Sequence, residues 1–215
     1  YINSGHYQKD QKYWQDIASK IPKAVSIKEH KSAALTYTGN RLTFELDERS
    51  NHLIYQYCNE NRISPFSLFY MALAIWLKRA FNINESTIGV PILNRNDHQE
   101  KNTSGMFVST LPFYSKIDEN WNINEFNQHL MMDWLELLKH QKFPFNDIYQ
   151  LAKKNNPQIN ELFHIVLSYQ NSLAYQIDST QVYFDGRWNY SGYQGQDLCI
   201  HVSHRQDQQR YTIDY

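Results

Sequence analysis

The chain has 215 residues, enough to bury a sizeable core as one domain or as one lobe of a larger one. Its 21 Lys and Arg stand against 22 Asp and Glu, a net charge of −1, so no field of either sign is available to capture nucleic acid or an anionic membrane. Aromatic residues make up 15% of the chain, led by 16 Tyr and 11 Phe, and that much burial area argues against disorder.

In chain order, Tyr7, Gln11, Trp14, Ala18 and Ile21 recur at helical spacing and Pro22 follows, which predicts a helix of about four turns stopping near Lys20. After the Gly39-Asn40 turn signal, Leu42, Phe44 and Leu46 alternate with Arg41, Thr43 and Glu45, the period of a half-buried strand. Asp47 is placed to cap a helix that presents Leu53, Ile54, Tyr57 and Cys58 to the core. Ser64-Pro65 opens a second helix, with Ser as N-cap and Pro at the first helical position. That helix is apolar almost all round to Leu77, and Lys78 and Arg79 suit its last turn.

Thr87 to Ile92 reads as a buried strand, Asn94 to Ser104 as a surface loop and Met106 to Tyr114 as a second apolar strand. Asn122 with Glu125 is a capping-box start for a long helix burying Ile123, Phe126, Leu130, Trp134 and Leu137. Pro144 or Asn146 then opens a shorter helix through Leu151. In the last third the period falls to two: Phe163, Ile165, Leu167 and Tyr169 form one run, Leu198, Ile200 and Val202 another. Tyr211, Ile213 and Tyr215 begin a further run, and Asp185-Gly186 is a hairpin-turn signal. This order predicts an α/β fold, a two-layer lobe with a mixed β-sheet and packed helices.

Cys58 and Cys199 are too few and too dispersed for a disulfide framework or a zinc site, and read as buried thiols in a reducing cytoplasmic setting. Phe66 to Leu77, the most apolar stretch, is about a dozen residues and too short to span a bilayer. Of the nine histidines, His201 and His204 are three apart on a predicted strand and project from opposite faces, so they cannot share a metal. His129 and His140 lie near one helix face without a third ligand at a telling spacing, and no metal site is expected. There is no nucleophile elbow, no phosphate-binding glycine loop and no dinucleotide fingerprint. The residues alone therefore show no complete catalytic apparatus.

Three strings carry a resemblance instead: Ile88-Gly-Val-Pro-Ile-Leu-Asn-Arg95, Gly105-Met-Phe-Val-Ser-Thr-Leu-Pro-Phe113 and His140-Gln-Lys-Phe-Pro-Phe-Asn-Asp147. They resemble the downstream motifs of the condensation domains of nonribosomal peptide synthetases. Tyr13-Trp14, Ser64 to Phe69, Leu162-Phe163 through Tyr169-Gln170-Asn171, and Asp197-Leu198 resemble further family segments in the same order. That family carries its catalytic motif, His-His-x-x-x-Asp-Gly, upstream of these strings, and this chain has no His-His pair.

The resemblance implies a chloramphenicol-acetyltransferase-like fold in which residues 1–215 are the C-terminal lobe and the N-terminal lobe lies outside the chain. It implies amide-bond formation between a carrier-bound donor thioester and an acceptor amine. The partners implied are the N-terminal condensation lobe and peptidyl carrier and adenylation domains. Phosphopantetheine arms would deliver the substrates, with no cofactor bound directly. By the same resemblance, Arg95 is an interlobe clamp holding the Asp of the catalytic motif. Ser109, Thr110 and Asn171 line the substrate channel, and Ser109 departs from the family's usual Asn. His140 and Gln141 end the long helix, while Pro144 and Phe145 set the next turn and plug the core. Asn155 and Ile159 stand where the family tends to carry arginines, so ionic contacts from that loop are not expected. Trp188 to Gly195 reads either as a sugar-binding platform or as a segment crossing over the partner lobe. An epimerisation or cyclisation relative and a non-catalytic docking lobe remain alternatives.

Overall fold

In a computed structural model, residues 1–27, 37–172, 189–205 and 210–215 are described. The elements run α1 (Gly5–Lys20), β1 (Thr43–Glu45), α2 (Glu48–Asn61), α3 (Pro65–Phe81), β2 (Glu85–Ile92), α4 (His98–Lys101), β3 (Ser109–Lys116), α5 (Ile123–Lys139), α6 (Phe145–Asn155), β4 (Ile165–Ser172), β5 (Leu198–Arg205) and β6 (Arg210–Asp214). Caps set the helix starts. Ser4, Asp47 and Ser64 accept from the first-turn amides of α1, α2 and α3. Asn122 and Glu125 form the complete capping box of α5, satisfying two otherwise orphaned amide donors reciprocally.

The strands form one six-stranded mixed sheet in the order β1-β6-β5-β4-β2-β3. The central pairs β2–β4 and β4–β5 are parallel and the outer pairs antiparallel. Residues 173–197 connect the parallel strands β4 and β5. Asp185-Gly186 and Trp188 fall in that connection and lie outside the described residues.

Ser86 to Val90 are buried in succession, as expected where both faces of a central strand are covered. On one face α3 docks through Tyr70, whose hydroxyl donates to the Phe113 carbonyl and lies in hydrogen-bond contact with Ser115 Oγ, each at 3.0 Å. Trp134 of α5 meets Phe113 there with ring centroids 5.3 Å apart, and Ser67 of α3 donates to Asn127 of α5 at 2.5 Å. On the other face the Phe163 ring lies flush against Gly89.

Several expected faces turn out differently. Among the described residues β1 is a three-residue edge strand paired with β6 alone, and Leu42 and Phe44 are exposed rather than half-buried. The core face of α2 runs through Asn51, Ile54, Tyr55 and Cys58, leaving Leu53 and Tyr57 outside. Asn51 wins its place by hydrogen bonding: it donates to the Leu46 carbonyl and accepts from the Tyr211 amide, tying β6 to α2. β3 begins only at Ser109, because Met106 and Val108 precede the sheet and are exposed. Ile123 starts α5 in solvent, and Phe143 rather than Phe145 plugs the core beneath the α5–α6 turn.

Candidate functional site

The three strings converge at the carboxyl end of β2, an edge where open α/β sheets place ligand sites. β2 ends at Ile92, and Asn94 follows with φ of 53°, a left-handed turn that asparagine tolerates better than most residues. The turn sends the Arg95 side chain back over the loop to β3. One guanidinium nitrogen, Nη1, donates to the Glu100 carbonyl and, at 2.6 Å, to the Thr103 carbonyl; Nη2 donates to the Gly105 carbonyl at 2.9 Å. The guanidinium carbon lies 4.0 Å from the centre of the Phe107 ring. Gly105 has φ of +147°, a conformation that L side chains rarely adopt, which accounts for the glycine opening the second string. Among the described residues, Nε–H and the second Nη2–H make no hydrogen bond, so one edge of Arg95 keeps the fork needed for a carboxylate.

The third string locks onto this loop from the α5–α6 turn. Gln141 Nε2 donates to the Leu138 carbonyl, closing α5, and to Asn96 Oδ1, both at 2.8 Å. Lys142 Nζ lies 2.6 Å from Glu100 Oε1 and 3.0 Å from the Asn94 carbonyl. Glu100 Oε2 accepts the Asn96 amide at 2.7 Å. The Lys142 hydrogen bond, with backbone donors behind it, holds the Glu100 carboxyl below its ordinary range.

His140 ends α5 as expected, but its ring works sideways rather than on the helix carbonyls. Nδ1 lies 2.7 Å from Asp10 Oδ1 and the ring stacks on Tyr13 at 4.3 Å, while its own carbonyl accepts from Trp14 Nε1 at 3.0 Å. Asp10 is buried, and its second oxygen takes the Tyr1 hydroxyl. The pair therefore staples α1 to the α5–α6 turn. Pro144 is the N-cap residue of α6, and Phe145, 36% exposed, meets Phe163 edge-on with ring centroids 6.1 Å apart.

Ser109 pairs with Ile92 and Thr110 with Pro91, so their side chains leave opposite faces of the sheet. Ser109 shares its face with Leu111, Phe113 and, across β2, the Tyr169–Asn171 row of β4; Thr110 shares the face of Gly89 and Val166. No single channel wall takes both. Asn171 is exposed at the end of β4, beside His204 in register. Sequence reasoning missed Asp10, Glu100 and Lys142. Asp10 was findable: it sits three residues after Tyr7 and four before Trp14, a carboxylate on the buried face of α1.

Two further histidine contacts lie on β5. His204 is buried between the hydroxyls of Tyr55 and, at 2.8 Å, Tyr169, with its ring stacked on Tyr211; burial pushes its pKa down. On the opposite face His201 Nε2 is 3.2 Å from Cys199 Sγ, whose pKa burial pushes up to about 11. That thiol is half-buried, not fully buried as expected. Residues 189–195 run beside 37–39, through the Gly39 amide to the Gly192 carbonyl and the Gln194 amide to the Tyr37 carbonyl, with Tyr193 exposed.

The condensation-domain family model matches residues 1–214. The chain belongs to that family. Among curated condensation-domain relatives, surfactin synthase subunit 1 of Bacillus subtilis (strain 168) is 30% identical over 215 residues, covering all of this chain and 6% of the relative. Gramicidin S synthase 2 of Brevibacillus brevis is 20% identical over 217 residues, 100% of this chain and 5% of that one. Among solved structures, a four-domain nonribosomal peptide synthetase bound to AMP and glycine superposes with a TM-score of 0.79 at 21% identity, covering 96% of this chain and 17% of that one. The first condensation domain of the calcium-dependent antibiotic synthetase, in complex with a substrate analogue, gives 0.75 at 18%, covering 100% and 47%. The fold is thus that of condensation domains, and the chain spans about half the length of that isolated domain and a small fraction of the curated relatives. Among the described residues no helix is long and apolar enough to cross a membrane.

Proposed function

We propose that this chain is the C-terminal lobe of a nonribosomal peptide synthetase condensation domain, and that the intact domain forms an amide bond. The acceptor's amine nitrogen attacks the donor thioester carbonyl, the C–N bond forms, the C–S bond breaks, and the amine proton leaves with the departing thiol. A histidine of the upstream His-His-x-x-x-Asp-Gly motif, outside these residues, orients or deprotonates the amine, and a backbone donor near it supports the tetrahedral oxyanion. Carrier domains deliver both substrates on phosphopantetheine arms, and an adenylation domain loads them.

The observation that carries this reading is a family match over 1–214 in a sequence without any His-His pair. The lobe's own part is structural: Arg95 offers its open guanidinium edge to the motif's carboxylate across the lobe boundary, and Ser109 with Asn171 lines one side of the channel. The test joins this chain to its encoded upstream residues and supplies donor and acceptor on carrier domains. Mass spectrometry of the acceptor carrier then shows the amide product. An unchanged acceptor, or an epimerised or cyclised product in its place, overturns the reading.

A further inference from the structure

We propose, resting on the reading above, that Lys142 and Glu100 are positioning residues for the condensation reaction, acting through Arg95. Lys142 lies inside the third string and Glu100 in the loop between the first two, so the fold joins two separate segments of the chain here.

An exposed ion pair contributes little to stability. This one differs in what it holds. The Lys142 and Glu100 side chains are 25% and 28% exposed. Lys142 Nζ grips the Asn94 carbonyl, the peptide immediately before Arg95, and Glu100 at once. Glu100 in turn binds the Asn96 amide on the far side of Arg95, while its own carbonyl is one of the acceptors for Arg95 Nη1. The pair therefore fixes the backbone on both sides of Arg95 and one wall of the carbonyl cage that aims its guanidinium. Gln141, bonded to the Asn96 side-chain oxygen and to the Leu138 carbonyl, ties Asn96 to the end of α5 beside His140. With Lys142 gone, Asn94 and α4 lose their anchor to the α5–α6 turn, and the open edge of Arg95 is free to wander relative to the other lobe. A misplacement of about 1 Å at a group that orients reacting partners costs up to roughly a hundredfold in rate.

The test uses the intact domain with carrier-bound donor and acceptor. Lys142→Met is expected to lower kcat about tenfold while leaving KM for the acceptor carrier unchanged, and Lys142→Arg to restore the rate. If Lys142 acts through Arg95, adding Lys142→Met to an Arg95→Lys protein slows it no further, since residues working as one unit give non-additive losses. Parental rates in Lys142→Met, or losses that multiply in the double variant, overturn the proposal. Hydrogen exchange gives a readout independent of catalysis: amides 94–105 should exchange faster in Lys142→Met while those of β4 do not. Unchanged exchange there overturns the positioning role even if the parent domain forms no amide, an outcome that separately sinks the reading above.

Discussion

Alanine in place of Gly89 probes why the first string carries a glycine in the middle of a strand. The added Cβ would lie 2.5 Å from Phe163 Cε2, 2.7 Å from Cδ2 and 2.9 Å from Cζ, whereas carbon atoms settle at about 3.5–4.0 Å. The ring must therefore retreat by roughly an ångström. It has little room, because Phe163 is only 9% exposed, and Gly89 itself is held between Pro112 of β3 and Val166 of β4. Overpacking of this kind costs about 1–3 kcal/mol, and the upper end applies where backbone meets ring. Relief of glycine's unfavourable strand entropy offsets about 0.5–1 kcal/mol. The net loss is then about 2 kcal/mol, or a fall in Tm of about 4–8 °C for a chain of this size. Circular dichroism melts of the parent and Gly89→Ala proteins read this directly. Phe163→Leu should recover part of the loss in the Gly89→Ala protein while destabilising the parent. A Gly89→Ala melt at or above the parental Tm would refute the argument.

Asp10→Ala leaves the His140 ring and the Tyr1 hydroxyl without their acceptor and should destabilise by about 1–3 kcal/mol, read as a lower urea midpoint; an unmoved midpoint would show the staple to be idle. His204 has a folded pKa depressed by burial, so as pH falls below about 6.5 the unfolded state takes up the proton first and stability is progressively lost. Melts between about pH 7 and pH 5 should slope less in His204→Gln than in the parent, and equal slopes would contradict the assignment. Leu93, Met106 and Val108 are exposed beside the open end of the β2–β3 pair. The isolated chain should therefore self-associate, and Leu93→Asp with Met106→Asp should reduce this in sedimentation velocity; a clean monomer of the parent at high concentration would count against it.

Helix starts were legible because they depend on neighbouring residues: Asp47, Ser64 with Pro65, and Asn122 with Glu125 cap where the local pattern places them. Faces were less so. Period-two alternation in 41–46 does not reveal that β1 is an edge strand, and helical spacing in α2 pointed to Leu53 and Tyr57 because it counts only apolar residues. Asn51 holds the inward position through two backbone hydrogen bonds to residues distant in sequence, which no local pattern encodes. At the site, the strings indicated the family and the ends of β2 and α5. The lattice joining them, Lys142 to Glu100 and Gln141 to Asn96, depends on the long return from β3 through α5, and only the fold brings those residues together.

The central claim is that this lobe supplies scaffold and clamp while the reacting histidine lies outside it. Its most direct test is single-turnover amide formation from carrier-bound donor and acceptor, by this chain alone and by the chain joined to its upstream residues. The account predicts product only from the joined protein; amide formed by residues 1–215 on their own would contradict it.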